Sequence, residues 1–149
     1  MKAADLQSVY NLVQNTLQIS YRDVYPAEAI DFFKDYHRKE VVREEAVNGY
    51  TVVAELGGVT VGTGTLLGTN VRRVFISPEH QRRGIGKAIA GDLERRAMTM
   101  GIAKLDLSSS LKSKEFWEAM GFVSSGEFSL PVGSGQKLVF YEMTKSLQR

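Results

Sequence analysis

Apolar side chains recur at three- and four-residue spacing through Leu6, Val9, Tyr10, Val13 and Leu17, the pattern of one helical face, with Asp5 placed to cap its start. Pro26 suits the first turn of a second helix, which carries Ile30, Phe33 and His37 on one face. A third helical piece follows from Arg38 to Ala46 and is stopped by Asn48-Gly49. The pattern then becomes extended. Tyr50 to Leu56 and Val59 to Leu67 are β-branched and aliphatic runs joined by Gly57-Gly58, a two-residue turn favoured between antiparallel strands, and a third strand spans Asn70 to Ile76. Helical spacing returns at Ile85, Ile89, Leu93 and Ala97 and ends at Met100-Gly101. Lys104 to Leu107 is a short strand, and Ser113 opens a short helix through Phe116, Trp117 and Met120 that Gly121 terminates before Phe122-Val123. The last strand is Leu138 to Met143. Pro131 to Gln136, rich in glycine and serine, reads as the mobile tip of a hairpin between it and the segment ending at Phe128.

This order predicts an α+β domain in which helices flank a single mixed, mostly antiparallel sheet. A length of 149 residues with 43% apolar and 24% charged positions fits one domain over residues 1–149. A net charge of +2 does not imply a nucleic-acid surface and points instead to a small anionic ligand. The absence of cysteine excludes disulfides, thiolate metal sites and a cysteine nucleophile. No cation-headed apolar segment opens the chain and no apolar run reaches bilayer length, so the expectation is a cytoplasmic protein with no membrane partner.

The stretch that carries chemistry is Val74-Phe75-Ile76-Ser77-Pro78 followed by Gln81-Arg82-Arg83-Gly84-Ile85-Gly86-Lys87, a strand that runs through a basic, glycine-bearing loop into a helix. Unpaired N–H groups at a helix start, with glycines that let a ligand approach the backbone, suit a phosphate. The residues match neither Gly-x-x-x-x-Gly-Lys-Ser/Thr nor a dinucleotide-type Gly-x-Gly-x-x-Gly. Together with the later Phe116-Trp117-Glu118-Ala119-Met120-Gly121-Phe122, the segment from Ile76 to Gly86 resembles the GCN5-related N-acetyltransferases, whose loop signature is Gln/Arg-x-x-Gly-x-Gly/Ala. The resemblance is strong from Val71 to Phe122 and compatible elsewhere.

What the resemblance implies is acetyl-coenzyme A as co-substrate, with no metal. Its pyrophosphate would meet the amides of Gln81, Arg82, Arg83, Gly84, Ile85, Gly86 and Lys87, and its pantetheine arm would lie along Val74, Phe75 and Ile76. The sheet splays after that strand, which frees the Ile76 N–H to polarise the thioester carbonyl. Ser110, followed by Leu111, is the other catalytic candidate, able to hydrogen-bond the cofactor arm or to cap the next helix. Trp117 stands beside the arm where many relatives carry a tyrosine that protonates the departing thiolate, and an indole cannot do so. The glutamate that receives the amine's proton in many relatives is also missing from Val71-Arg72-Arg73-Val74. Asp106, Glu127, Glu142, Tyr141, His37 and His80 are all chemically able to replace it, and spacing selects none of them.

Acceptor recognition falls to Tyr21, Tyr25 and Arg73 and to the Ser129 to Gln136 loop. The acceptor is expected to be a small-molecule or peptide amine. Only Met1 to Ala4 precede the first helix, so the family's usual first strand is short or missing, and that edge is left open or completed by a second copy in a homodimer. The alternative function is an acyl-coenzyme A binding or sensing module that keeps the cleft without turnover.

Overall fold

The structure is a computed structural model that describes residues 1–147; the last two positions of the expected 1–149 domain lie outside the described residues. Helix α1 (Leu6–Ser20) is preceded by a single 3-10 turn, Ala3–Asp5. The Asp5 carboxylate does not cap α1. It accepts a 2.8 Å hydrogen bond from the Lys2 N–H and closes that preceding turn instead. Helix α2 (Ala27–Tyr36) starts immediately after Pro26, and α3 (Lys39–Asn48) runs to Gly49. Then come β1 (Tyr50–Leu56), β2 (Val59–Leu67), β3 (Asn70–Ile76), α4 (Ile85–Thr99), β4 (Lys104–Ser110), α5 (Lys114–Ala119), β5 (Val123–Gly133) and β6 (Gln136–Ser146). No strand precedes β1 among the described residues. The Met1 ammonium reaches that edge and donates to the Thr51 carbonyl at 2.8 Å.

The six strands form one open sheet in the order β1-β2-β3-β4-β6-β5. Every neighbouring pair is antiparallel except β3 and β4, which run parallel and are paired only at Asn70↔Asp106. Beyond that point the two strands diverge. The cause lies in β3, where Arg73 and Val74 together face Gly64 of β2. This is a β-bulge, and Arg73 sits in it at φ 55, a left-handed conformation that costs a non-glycine residue on the order of 1 kcal/mol. One extra residue bends the strand and inverts its faces. Val71 therefore packs with α4, whereas Phe75, of the same parity, packs with α1 and α2.

Two apolar layers cover the sheet. On one side Ile89, Leu93 and Ala97 of α4 join Leu66, Leu105, Leu107, Trp117 and Met143. The helix rests almost on the β2 backbone, because a Cβ on Gly64 would stand 2.6 Å from Ile89 Cγ2. On the other side α1, α2 and α3 bury Val9, Val13, Leu17, Tyr21, Ile30 and Val42 against Phe75 and Leu138. Fully burying such an aliphatic side chain contributes about 1.5–3 kcal/mol, and these two layers clamp the split sheet from both faces.

One expected loop is strand. Pro131 to Gly133 continues β5, and the hairpin tip contracts to Ser134-Gly135, both with positive φ as a tight primed turn requires. Pairing with Lys137 and Gln136 holds the segment extended, and Pro131 is tolerated because β5 is the outer strand of the sheet. β4 likewise runs on through Ser108, Ser109 and Ser110, which pair with Glu142, Tyr141 and Phe140.

Candidate active site

The divergence of β3 from β4 opens a cavity of about 270 Å³. Its walls bring together Tyr21, Arg73, Val74, Phe75, Ser110 and Trp117 from the residues singled out in the sequence. Ile76 lies at the outer end of the split. Ser77 donates its N–H to the Val61 carbonyl at 2.8 Å and Gly62 stands opposite Ile76, so the alternation of an antiparallel ladder turns the Ile76 N–H away from β2. On that side β4 has already departed, which leaves the Ile76 N–H without a strand partner next to the cavity-lining Phe75.

The basic loop follows directly. None of the backbone N–H groups from Gln81 to Lys87 is donated to another group among the described residues. Arg82 at φ 64 and Gly84 at φ 81 turn this run of amides out of the sheet and into α4, with Gly84 at the N-cap. The two glycines serve different ends. Gly84 supplies the left-handed turn, and a Cβ there would meet nothing, whereas a Cβ on Gly86 would press to 3.3 Å of the Phe116 ring. Arg82, Arg83 and Lys87 are exposed and form no ion pair among the described residues. The Gln81 side chain holds the Ile76 carbonyl at 3.0 Å and ties the loop to the strand end. A row of free amides, helix start and three cations fits a pyrophosphate.

Inside the cavity the electrostatics centre on Arg73, whose side chain is 1% exposed. Its Nε donates to His37 Nδ1 at 3.0 Å and its Nη2 to Glu45 at 2.6 Å. Arg72 donates to the same Glu45 carboxylate at 2.7 Å and to Asn70 at 2.8 Å. Burial, reinforced by the positive charges of Arg73 and Arg72, pulls the His37 pKa down to about 3. His37 lines the cavity as a neutral ring whose Nδ1 is an acceptor, so its proton resides on Nε2 and it offers a donor rather than a base.

A stability consequence follows. An unfolded histidine titrates near 6.5, so between that pH and about 3 the unfolded chain takes up a proton that the folded chain refuses. Stability is retained above pH 6.5 and lost as the pH falls, by about 3 kcal/mol on going to pH 4.5. His37→Asn keeps an oxygen for Arg73 Nε to bond and cannot titrate, so this loss should largely vanish in the variant. Urea midpoints at the two pH values measure it, and the same acid loss in both proteins would place the lability on other groups.

The remaining candidates have other partners. Tyr25 does not line the cavity. Its hydroxyl donates to the Val139 carbonyl at 2.7 Å and accepts from the Leu111 N–H at 2.8 Å, pinning β6 to the start of the α5 turn. Burial raises the phenol pKa of Tyr25, and that of Tyr21. Trp117 is buried between Phe116 and Phe122 and presents one side to the cavity. The Ser110 hydroxyl is 2.9 Å from that of Ser113 and makes no side-chain cap on α5. Asp106 accepts from Thr69 and Asn70, Glu127 from Tyr141, and His80 lies against Ser77. Glu142 stands behind the cavity-lining Ser108, whose hydroxyl donates to it. No Asp or Glu lines the cavity among the described residues.

Phe32, Tyr36 and Glu45 were not anticipated as part of this site. Their only trace in the sequence is the four-residue spacing that places Phe32 over Tyr36 and Phe33 over His37 on α2. No group of three metal-ligating side chains occurs among the described residues, and no described helix is long and apolar enough to cross a membrane.

Residues 21–147 match the Acetyltransferase (GNAT) domain family. No curated protein matches the sequence. Among solved structures, a GCN5-related N-acetyltransferase (Aminotransferase, Class-II) of Rhodopseudomonas palustris is similar at 22% identity, over 99% of this chain and 92% of that one, with a TM-score of 0.89. The PaiA N-acetyltransferase of Thermoplasma acidophilum, solved with coenzyme A, is similar at 17% identity over 99% and 96% of the two chains, with a TM-score of 0.77. The ribosomal-protein-S18-alanine N-acetyltransferase of Escherichia coli shares 14% identity over 100% of this chain and 92% of that one, with a TM-score of 0.72. With its split sheet, free loop amides and a family match over most of its length, the chain belongs to the GCN5-related N-acetyltransferase (GNAT) family.

Proposed function

We propose that the protein transfers the acetyl group of acetyl-coenzyme A to a primary amine by direct attack. The observation that carries this reading is the Ile76 N–H without a strand partner, next to the cavity-lining Phe75 and one short loop away from a row of unpaired amides. The amides from Gln81 to Lys87 bind the pyrophosphate, and the arm runs inward past Val74, Phe75 and Ile76 toward Ser110 and Trp117. The amine nitrogen forms a bond to the thioester carbonyl carbon, the oxygen gains charge against the Ile76 N–H, the nitrogen sheds a proton to water, and the carbon–sulfur bond breaks to release thiolate. One such preorganised donor is worth about 3 kcal/mol of barrier.

No acid is placed to protonate the sulfur, since Trp117 cannot, but a thiol of pKa about 8.5 leaves tolerably as its anion and takes its proton from water. No base lines the cavity either, so the amine must arrive neutral. For a lysine-type amine this costs about 4.6 kcal/mol at pH 7, for an α-amine only about 1.1 kcal/mol, which favours acceptors of low pKa. Accordingly, log kcat/KM should rise with unit slope up to the pKa of whichever amine is used and move with that pKa from one amine to the next. The test is release of free thiol from acetyl-coenzyme A across a panel of amines at several pH values. Thiol at background with every amine, from protein that binds coenzyme A, would instead support the second reading, a binding or sensing module, which the missing acid and base favour.

A further inference from the structure

Resting on the acetyltransferase reading, we propose that the acceptor is a primary amine carrying a carboxylate on an apolar or aromatic frame, and that Arg73 receives this carboxylate. The first argument is charge. Arg72 and Arg73 line the cavity, no carboxylate does among the described residues, and the one acid against the pair is Glu45. Among the lining side chains and their ion-pair partner, two guanidiniums and one carboxylate leave a single positive charge in a half-open cavity, which favours an anionic ligand over a cation.

The second argument is hydrogen bonding. The Arg73 side chain is 1% exposed, its Nε and Nη2 are paired, and its Nη1 is buried with no partner. A buried charged donor left unmade is costly, and an oxygen of the ligand supplies what the protein does not. Beside it, His37 has Nδ1 engaged by Arg73, and no described residue accepts from its Nε2. Because Nδ1 takes the Arg73 Nε, the His37 Nε2–H points away from the guanidinium and is left for a second polar group of the ligand rather than for the same carboxylate. The frame is set by the aromatic wall: Tyr36 packs edge-on against His37 at 5.0 Å, and Phe32 stacks on Tyr36 at 6.3 Å, both partly exposed where a ligand could cover them. Polyamines and aminoglycosides, which bring several positive charges, do not fit this wall.

Two measurements test this. Calorimetry, with and without coenzyme A, compares N-acetylphenylalanine with N-acetylphenylalaninamide, and thiol release compares phenylalanine and 4-aminobenzoate with their primary amides and with spermidine. The acids are expected to bind at least tenfold tighter than the amides, and to react with at least tenfold higher kcat/KM once each rate is referred to the neutral amine present, since the amide's amine has the lower pKa. Arg73→Met should bring acid and amide within twofold, and Arg73→Lys should retain part of the preference. The wild-type comparison of acid with amide stands even where a variant fails to fold, which circular dichroism reports. Equal affinity for acid and amide, or spermidine as the fastest acceptor, overturns the proposal and leaves the acetyltransferase reading intact. Preferential binding of the acid with no thiol released from any amine supports the anion site and overturns the acetyltransferase reading instead.

Discussion

Gly84→Pro is expected to lower coenzyme A affinity at least a hundredfold while the sheet and its two helical layers stay folded. Gly84 holds φ 81 at the N-cap of α4, and proline is confined near −65°, so the loop cannot keep its path. The substitution also deletes one amide and misdirects those beside it. Losing two charge-assisted hydrogen bonds of about 1.5 kcal/mol each already gives a factor above one hundred. A Cβ at this position meets nothing within 4 Å. Gly84→Ala isolates the torsional cost and should weaken binding about tenfold, in line with 1–2 kcal/mol for a left-handed alanine. Calorimetry with coenzyme A measures both variants, and thermal melts report the fold. Affinity of Gly84→Pro within threefold of wild type would mean that the pyrophosphate sits elsewhere.

That loop was legible in the sequence because its demand is local: glycine where φ is positive, an apolar helical period starting at Ile85, a β-branched strand before it. The hairpin at Gly57-Gly58 and the helix stop at Gly101 were readable for the same reason. Features settled by partners far along the chain were not. Ser108 to Ser110 are poor strand formers taken into β4 by their ladder with β6, and Pro131 to Gly133 are drawn out by pairing across the tip. The bulge at Arg73 carries no signal, since arginine is not a residue that seeks a left-handed conformation. Its contacts reach back 36 residues to His37, just past the end of α2, and 28 to Glu45 in α3. Arg73 stood among the candidate acceptor residues, but nothing in the sequence shows that it is buried or that an internal glutamate already takes part of its charge.

Glu45→Leu is expected to destabilise the protein by about 3–5 kcal/mol, a large share of the 5–15 kcal/mol that holds a domain of ordinary stability together. Glu45 is the only carboxylate paired with either arginine among the described residues. Arg72, at 24% side-chain exposure, can swing its guanidinium into water, but Arg73 at 1% cannot. The variant leaves a buried cation with Nη1 and Nη2 both unpaired and only the neutral His37 ring against Nε. Adding Arg73→Met should recover most of the loss, because removing both members of a buried pair is far less costly than removing one. Urea denaturation of the single and double variants measures the coupling, and a loss below 1 kcal/mol in Glu45→Leu would mean that Arg73 is neutralised by something other than Glu45. The same logic links stability to the cavity's occupant. A ligand that brings its own carboxylate to Arg73 should raise the melting temperature of Glu45→Leu more than that of wild type, since in the variant it replaces an ion pair the fold has lost.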